Sequence, residues 1–225
     1  MNVEALDLWR RRLEWAARPV LEGTPIVDGS TDASHARSFI EAFTDERGHR
    51  RPVDLPFLAA ILAVDPFALA AGVWGPGGRD VELWWLVADG VSSGRWRTPA
   101  WMTRGRAPIT GAWTDGPIEV WTERELSGLH ATWSIARGPG ADPGLQDRCL
   151  DAALWLMENV QPDNATGHPW AAHVFAWMWA KHGDEEARLY AETLLHNAIA
   201  GRGRPDRFSA CVLWHAAAGL ERQAG

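Results

Sequence analysis

The chain has 225 residues, 46% of them apolar and 23% charged, with a formal net charge of −7. A chain of this size buries a hydrophobic core without needing disulfides or a structural metal, and its acidic balance argues against a general attraction to nucleic acid or anionic lipid. No apolar stretch approaches the ~20 residues of a membrane span, and residues 1–12 carry Glu4, Asp7, Arg10, Arg11 and Arg12 where a secretory signal would be apolar, so a cytoplasmic protein is expected.

The first predicted element is a helix over residues 2–17, from Val3, Leu6, Trp9, Leu13 and Ala16 at helical spacing, stopped before Pro19. Asp32 or Ser34 caps a second, with Ala36, Phe39, Ile40 and Phe43 on its apolar face. Asp54 opens an apolar stretch over 55–64. Asp65-Pro66 then caps a short piece with proline at its first helical position, so two short helices meet at a corner. Composition changes at Gly72. Residues 75–78 (Gly-Pro-Gly-Gly) read as a turn, since no Lys-Ser/Thr follows and the next segment has strand character. Residues 81–88 (Val-Glu-Leu-Trp-Trp-Leu-Val-Ala) have the content of a buried strand, 90–117 read as irregular loop, and 118–121 as one more strand.

From Thr122 onward five helices are expected. Thr122 and Glu125 have capping-box spacing, and the segment closes at Gly138. The next helix starts at Asp142-Pro143, a third follows His168-Pro169 and stops at Gly183, a fourth is capped by Asp184, and the last begins at Pro205. The fold class is therefore mainly α: a helical-hairpin array, at most a partial toroid, with a small β/loop insertion around residues 80–121. The whole of 1–225 reads as one domain, made of N-terminal helices (1–72), a Trp/Arg-rich insertion (73–121) and a five-helix part (122–225).

Fifteen tryptophans stand against a single tyrosine, and Lys181 is the only lysine among many arginines. The arginine bias suggests a GC-rich, bacterial genome. Cys149 and Cys211 both fall on apolar helical faces and read as buried reduced thiols. The sequon Asn164-Ala165-Thr166 has no meaning without secretion.

Two groups of residues carry candidate chemistry. The segment 169–181 is apolar nearly all round, with His173 as the only ionisable group in its middle, so it reads as the central buried helix. His130 and His215 lie on comparable apolar faces. If the faces converge, the three imidazoles permit acid–base or metal chemistry, although no HExxH is present. His196 stands similarly. His168 and His173 are five apart and share a helix face only if His168 precedes the helix. The bland alternative is that each histidine is a satisfied core residue. Asp147, Asp151 and Glu158 fall on an outer helix face.

The second group is 92–108, with Arg95, Trp96, Arg97, Trp101, Arg104 and Arg106 and no acidic residue. Guanidinium forks bind carboxylate or phosphate, and indole faces stack on planar ligands; a solvated loop is the bland alternative. With Trp170 these residues make the expected ligand-binding set. The leading expectation is a non-catalytic binding or interaction domain for a small anionic or aromatic ligand or a protein partner. The rival is an enzyme using His173, His130 and His215 in an apolar pocket lined by Trp133, Trp170 and Trp177. The sequence names no cofactor and no metal site.

Overall fold

Apolar residues at helical spacing fold as helices over most of the described residues. The computed structural model describes residues 2–29, 32–69, 78–102, 108–114, 116–161 and 167–224. Among them it holds ten α-helices, one short 3-10 turn and no strand. None of the described helices is long and apolar enough to cross a membrane.

Helix α1 (Val3–Leu21) buries Leu6, Trp9, Leu13 and Ala17, and Asn2 caps it by accepting from the Ala5 N–H at 3.1 Å. It does not stop before Pro19 as its sequence suggests, but carries that proline in its last turn. The proline removes a single bond to the carbonyl of Trp15, on the solvent face, so the cost is small so close to the helix end. After α2 (Pro25–Asp28), Asp32 caps α3 (Ala33–Ala42), accepting from the N–H groups of Ser34 and His35. The expected corner is present: α4 (Asp54–Ile61) is followed by left-handed Ala63, and Asp65 caps the 3-10 turn Pro66–Ala68.

The expected insertion is largely helical. Residues 81–88 are not a strand but the middle of α5 (Arg79–Ser93), and 118–121 are the first turn of α6 (Ile118–Ala136). Val81, Leu83, Trp84, Val87 and Ala88 are all buried. A helix buried on most sides shows an apolar run without visible period, which sequence patterning cannot separate from a buried strand. Residues 94–102 and 108–117 remain irregular where described. The expected glycine turn lies outside the described residues except for Gly78, and so do Arg104, Arg106 and the sequon.

Thr122 and Glu125 do not form a capping box, because α6 already runs through them. Glu125 instead reaches across to the irregular segment. Its carboxylate accepts from the N–H of Ile109, from the Thr110 N–H at 2.7 Å and from the Thr110 hydroxyl at 2.6 Å. Burial pushes the Glu125 carboxyl up, against those same hydrogen bonds.

The remaining helices are α7 (Gly144–Asn159), α8 (Ala172–His182), α9 (Glu185–Ala200) and α10 (Arg207–Ala224). Asp184 caps α9 as expected, and Gly183 ends α8 in the left-handed region that glycine enters freely. Helices α4, α5 and α6 pack in succession, α8 pairs with α9, and α1 lies along α10, so the first and last helices close the array on each other. Every residue of α8 from Ala172 to Met178 is buried, as expected of a central helix. Cys149 and Cys211 are buried and unbridged. Asp147, Asp151 and Glu158 are exposed on α7.

Trp177 sets a test of this packing. Its ring lies edge-on to Trp133 with centroids 5.0 Å apart, and Lys181 covers it at 4.4 Å. Trp177→Ala is expected to cost roughly 3–5 kcal/mol in urea denaturation, as large-to-small core changes do. A loss under about 1 kcal/mol would contradict the burial.

Candidate functional site

A mostly apolar cavity of about 490 Å³ lies where several helix beginnings meet. It is bounded by residues 51–53 ahead of α4, by Gly78, Asp80 and Val81 at the start of α5, by the first turns of α6, by Gly167, His168 and Trp170 before α8, and by Phe208 on α10. Trp170 and Phe208 form an aromatic wall, with centroids 5.5 Å apart.

Two polar features stand in these apolar surroundings. The first is Asp80, which is 5% exposed. Its Oδ1 has no hydrogen-bond partner among the described residues. A Cβ at position 78 would lie 2.7 Å from that oxygen, so a side chain there would displace it. Burial pushes the carboxyl up to about 6, against the Val81 N–H and the charge of Arg124.

The second feature is a chain of side chains along one wall. Arg51 donates from Nε to Asp54 at 3.0 Å and from Nη1 to Nε2 of His168. Nδ1 of His168 therefore carries the ring proton, and it faces Glu123 Oε1 at 3.4 Å. His168 precedes α8, and its own N–H also donates to Glu123 at 3.1 Å. Arg51 lies over the Phe208 ring at 4.0 Å, and its buried Nη2 has no hydrogen-bond partner among the described residues. Burial raises the Asp54 carboxyl, opposed by Arg51.

The three candidate histidines come together, but away from this cavity. His130 and His173 have centroids 4.2 Å apart, and Nε2 of His130 lies 3.0 Å from Nδ1 of His215. His130 and His173 are fully enclosed, and His215 alone is half-buried, at the edge of a smaller cavity. His196 is exposed elsewhere. Trp133 and Trp177 pack on each other in the core and line neither cavity. Among the described residues no three His, Cys, Asp or Glu side chains gather to hold a metal. Comparison with family models, with curated proteins and with solved structures finds no match to this chain.

The Arg–Trp segment does not form one site. Arg95 and Arg97 are exposed, whereas Trp101 is half-buried beneath the Arg79 guanidinium at 5.0 Å. Trp96 turns to the smaller cavity and Trp170 to the larger. Sequence reading therefore missed Arg51, Asp80, Glu123 and Phe208, which come from four distant segments with no local spacing to unite them. One signal was present for Asp80. Together with Glu82 it places acid in a first turn, which marks a helix start.

Two outcomes follow. The Asp80 carboxyl holds its proton up to about 6 when folded, against 3.8 as the reference. Between those values the native state binds the extra proton, so stability falls as pH rises through this window, by up to about 3 kcal/mol. Asp80→Asn is expected to raise Tm at pH 8, with the gain shrinking towards pH 4.5; an equal change at both values would contradict the burial of an ionisable group. Replacing Arg95 and Arg97 together by Ala should change stability by no more than about 0.5 kcal/mol, as exposed positions do; a loss of several kcal/mol would place them in internal ion pairs.

Proposed function

We propose that this chain is a small-molecule-binding domain, and that the cavity between Asp80, Arg51, Trp170 and Phe208 receives the ligand. The observation that carries this reading is the Oδ1 of Asp80, without a hydrogen-bond partner among the described residues, at a mostly apolar cavity. A buried oxygen without a partner costs stability, and a ligand donor seated against it removes that cost. The size of the cavity falls within the range of ligand pockets. The ligand it fits has an apolar, ring-sized body, a hydrogen-bond donor for Asp80 and an acceptor for Arg51 Nη2.

A second reading has one observation in its favour. A buried carboxyl that titrates near 6 beside a cavity suits proton exchange near neutrality. An enzyme of that kind would use Asp80 before the enclosed His130 and His173.

The test is a fragment set carrying single rings with amine, amide or hydroxyl donors, screened by ligand-observed NMR and by thermal shift. Binding fragments are expected to raise Tm by mass action, to weaken about tenfold in Asp80→Asn, the loss of roughly one hydrogen bond, and to fail in Val120→Trp, which fills the cavity from α6. Hits that survive Val120→Trp unchanged, or a set with no hits, would overturn the proposal. Turnover of a hit that is lost in Asp80→Asn would favour the enzymatic reading.

A further inference from the structure

The apolar cavity of Trp170 and Phe208 does not end at Asp80. A polar cavity adjoins it, and the two share Gly78, Asp80, Val120 and Arg124. We propose that they form one binding site whose ligand is a zwitterionic aromatic amino acid. The ring occupies the apolar cavity, the ammonium meets Asp80, and the carboxylate lies with Arg79 and Arg124 in the polar cavity. This rests on the reading of the apolar cavity as a ligand site and adds the chemical class of the ligand.

The polar cavity has a wall fixed by side chains of α6. That wall includes Thr110 and Gly111. Glu125 accepts from the Thr110 N–H at 2.7 Å and from its hydroxyl at 2.6 Å, and Trp121 donates to the Gly111 carbonyl at 2.9 Å. Arg79, in the first turn of α5, is held beside this wall. Its guanidinium carbon stands 5.0 Å from the centre of the Trp101 ring, and Nη1 lies 3.5 Å from where a Cβ at Gly111 would be. A guanidinium supported by a ring loses less freedom when its fork takes a carboxylate.

Arg124, in the second turn of α6, stands on the seam between the two cavities. Its Cδ and Nε lie 3.7 Å and 3.8 Å from the Cβ position at Gly78, and Asp80 Oδ1 lies 2.7 Å from the same point. The bare backbone at Gly78 thus brings a guanidinium and a buried carboxylate close to one place. The charge of Arg124 favours the ionised form of Asp80. Even so, neither Arg79 nor Arg124 forms a salt bridge among the described residues.

The arrangement of charge selects the ligand. In the described lining of the polar cavity, Asp80 is the one acid beside two guanidinium groups. An organic anion would satisfy the arginines but bring no donor to Asp80 Oδ1. An organic cation would satisfy Asp80 but be repelled by the arginines. An α-amino acid carries an ammonium and a carboxylate on one carbon and so matches both. Its N–H donors reach the Oδ1 that has no partner among the described residues, and its carboxylate takes the guanidinium forks. The ammonium also offsets the burial that pushes the Asp80 carboxyl up to about 6. Beyond the seam lies the aromatic wall of Trp170 and Phe208, and a hydroxyl on the ligand ring supplies the acceptor for Arg51 Nη2.

The test compares three probes of one shape by ligand-observed NMR at neutral pH: tyrosine, tyramine, which lacks the carboxylate, and 3-(4-hydroxyphenyl)propionate, which lacks the ammonium. Tyrosine is expected to bind at least about tenfold more tightly than either, since each loss removes a charge-assisted contact. Arg79→Gln with Arg124→Gln, both at exposed positions, is expected to abolish the advantage of tyrosine over tyramine while the protein spectrum stays folded. Asp80→Asn is expected to abolish its advantage over the propionate. The proposal is overturned if tyramine or the propionate binds as tightly as tyrosine, if tyrosine keeps its lead in these variants, or if none of the three binds. Ring fragments that still bind, and are lost in Val120→Trp, would then leave the apolar cavity standing as a ligand site and defeat the amino acid alone. Fragments that fail to bind, or bind regardless of Val120→Trp, would defeat both.

Discussion

Phe57, at the middle of α4, touches five other rings: Trp84 at 4.7 Å, Trp170 at 4.9 Å, Phe208 at 5.5 Å, His215 at 5.8 Å and His130 at 6.4 Å between centroids. Every one of these contacts is edge-to-face, the arrangement aromatic quadrupoles favour. The five rings come from α5, α6, α10 and the turn before α8, so one residue ties together most of the array. Three of its partners also line cavities. Trp170 and Phe208 face the larger, and His215 faces the smaller.

Putting imidazoles and an indole N–H in such a cluster imposes a second constraint, because each buried donor and acceptor must be matched. Trp84 Nε1 donates to the Ser127 hydroxyl at 3.1 Å. Ser127 stands beside Asp80 along the wall of the larger cavity. The Ala171 amide, His130 and His215 form one hydrogen-bonded line, and Arg51, His168 and Glu123 form another. Two of the buried polar atoms without a hydrogen-bond partner among the described residues, Asp80 Oδ1 and Arg51 Nη2, lie at residues of the larger cavity.

The irregular segment between α5 and α6 shows how tryptophan and glycine are used together. Trp96 is pinned on Gly90 and Gly138, Trp121 donates to the Gly111 carbonyl at 2.9 Å, and Glu125 holds Ile109 and Thr110. These contacts anchor a stretch without regular structure onto two helices. The indoles serve as packing and as cavity walls within the same few residues, which is why composition alone could not separate the two uses.

Local chemistry was enough to read most of the helices. Asp32, Asp65 and Asp184 announce their caps, Gly183 announces a stop, and the unbroken apolar content of 169–181 announces the central helix, because each of these signals acts within one turn of the chain. The segment 81–88 was misread because a helix buried nearly all round loses the periodicity that local reading depends on, and only its packing against α4 and α6 settles the conformation. The histidines could be placed on apolar faces from their spacing, yet their meeting depends on how α6, α8 and α10 cross. The larger cavity was beyond sequence reading for the same reason. Arg51, Asp80, Glu123, His168 and Phe208 are separated by tens of residues, and a site assembled from the ends of five elements exists only once those elements have packed.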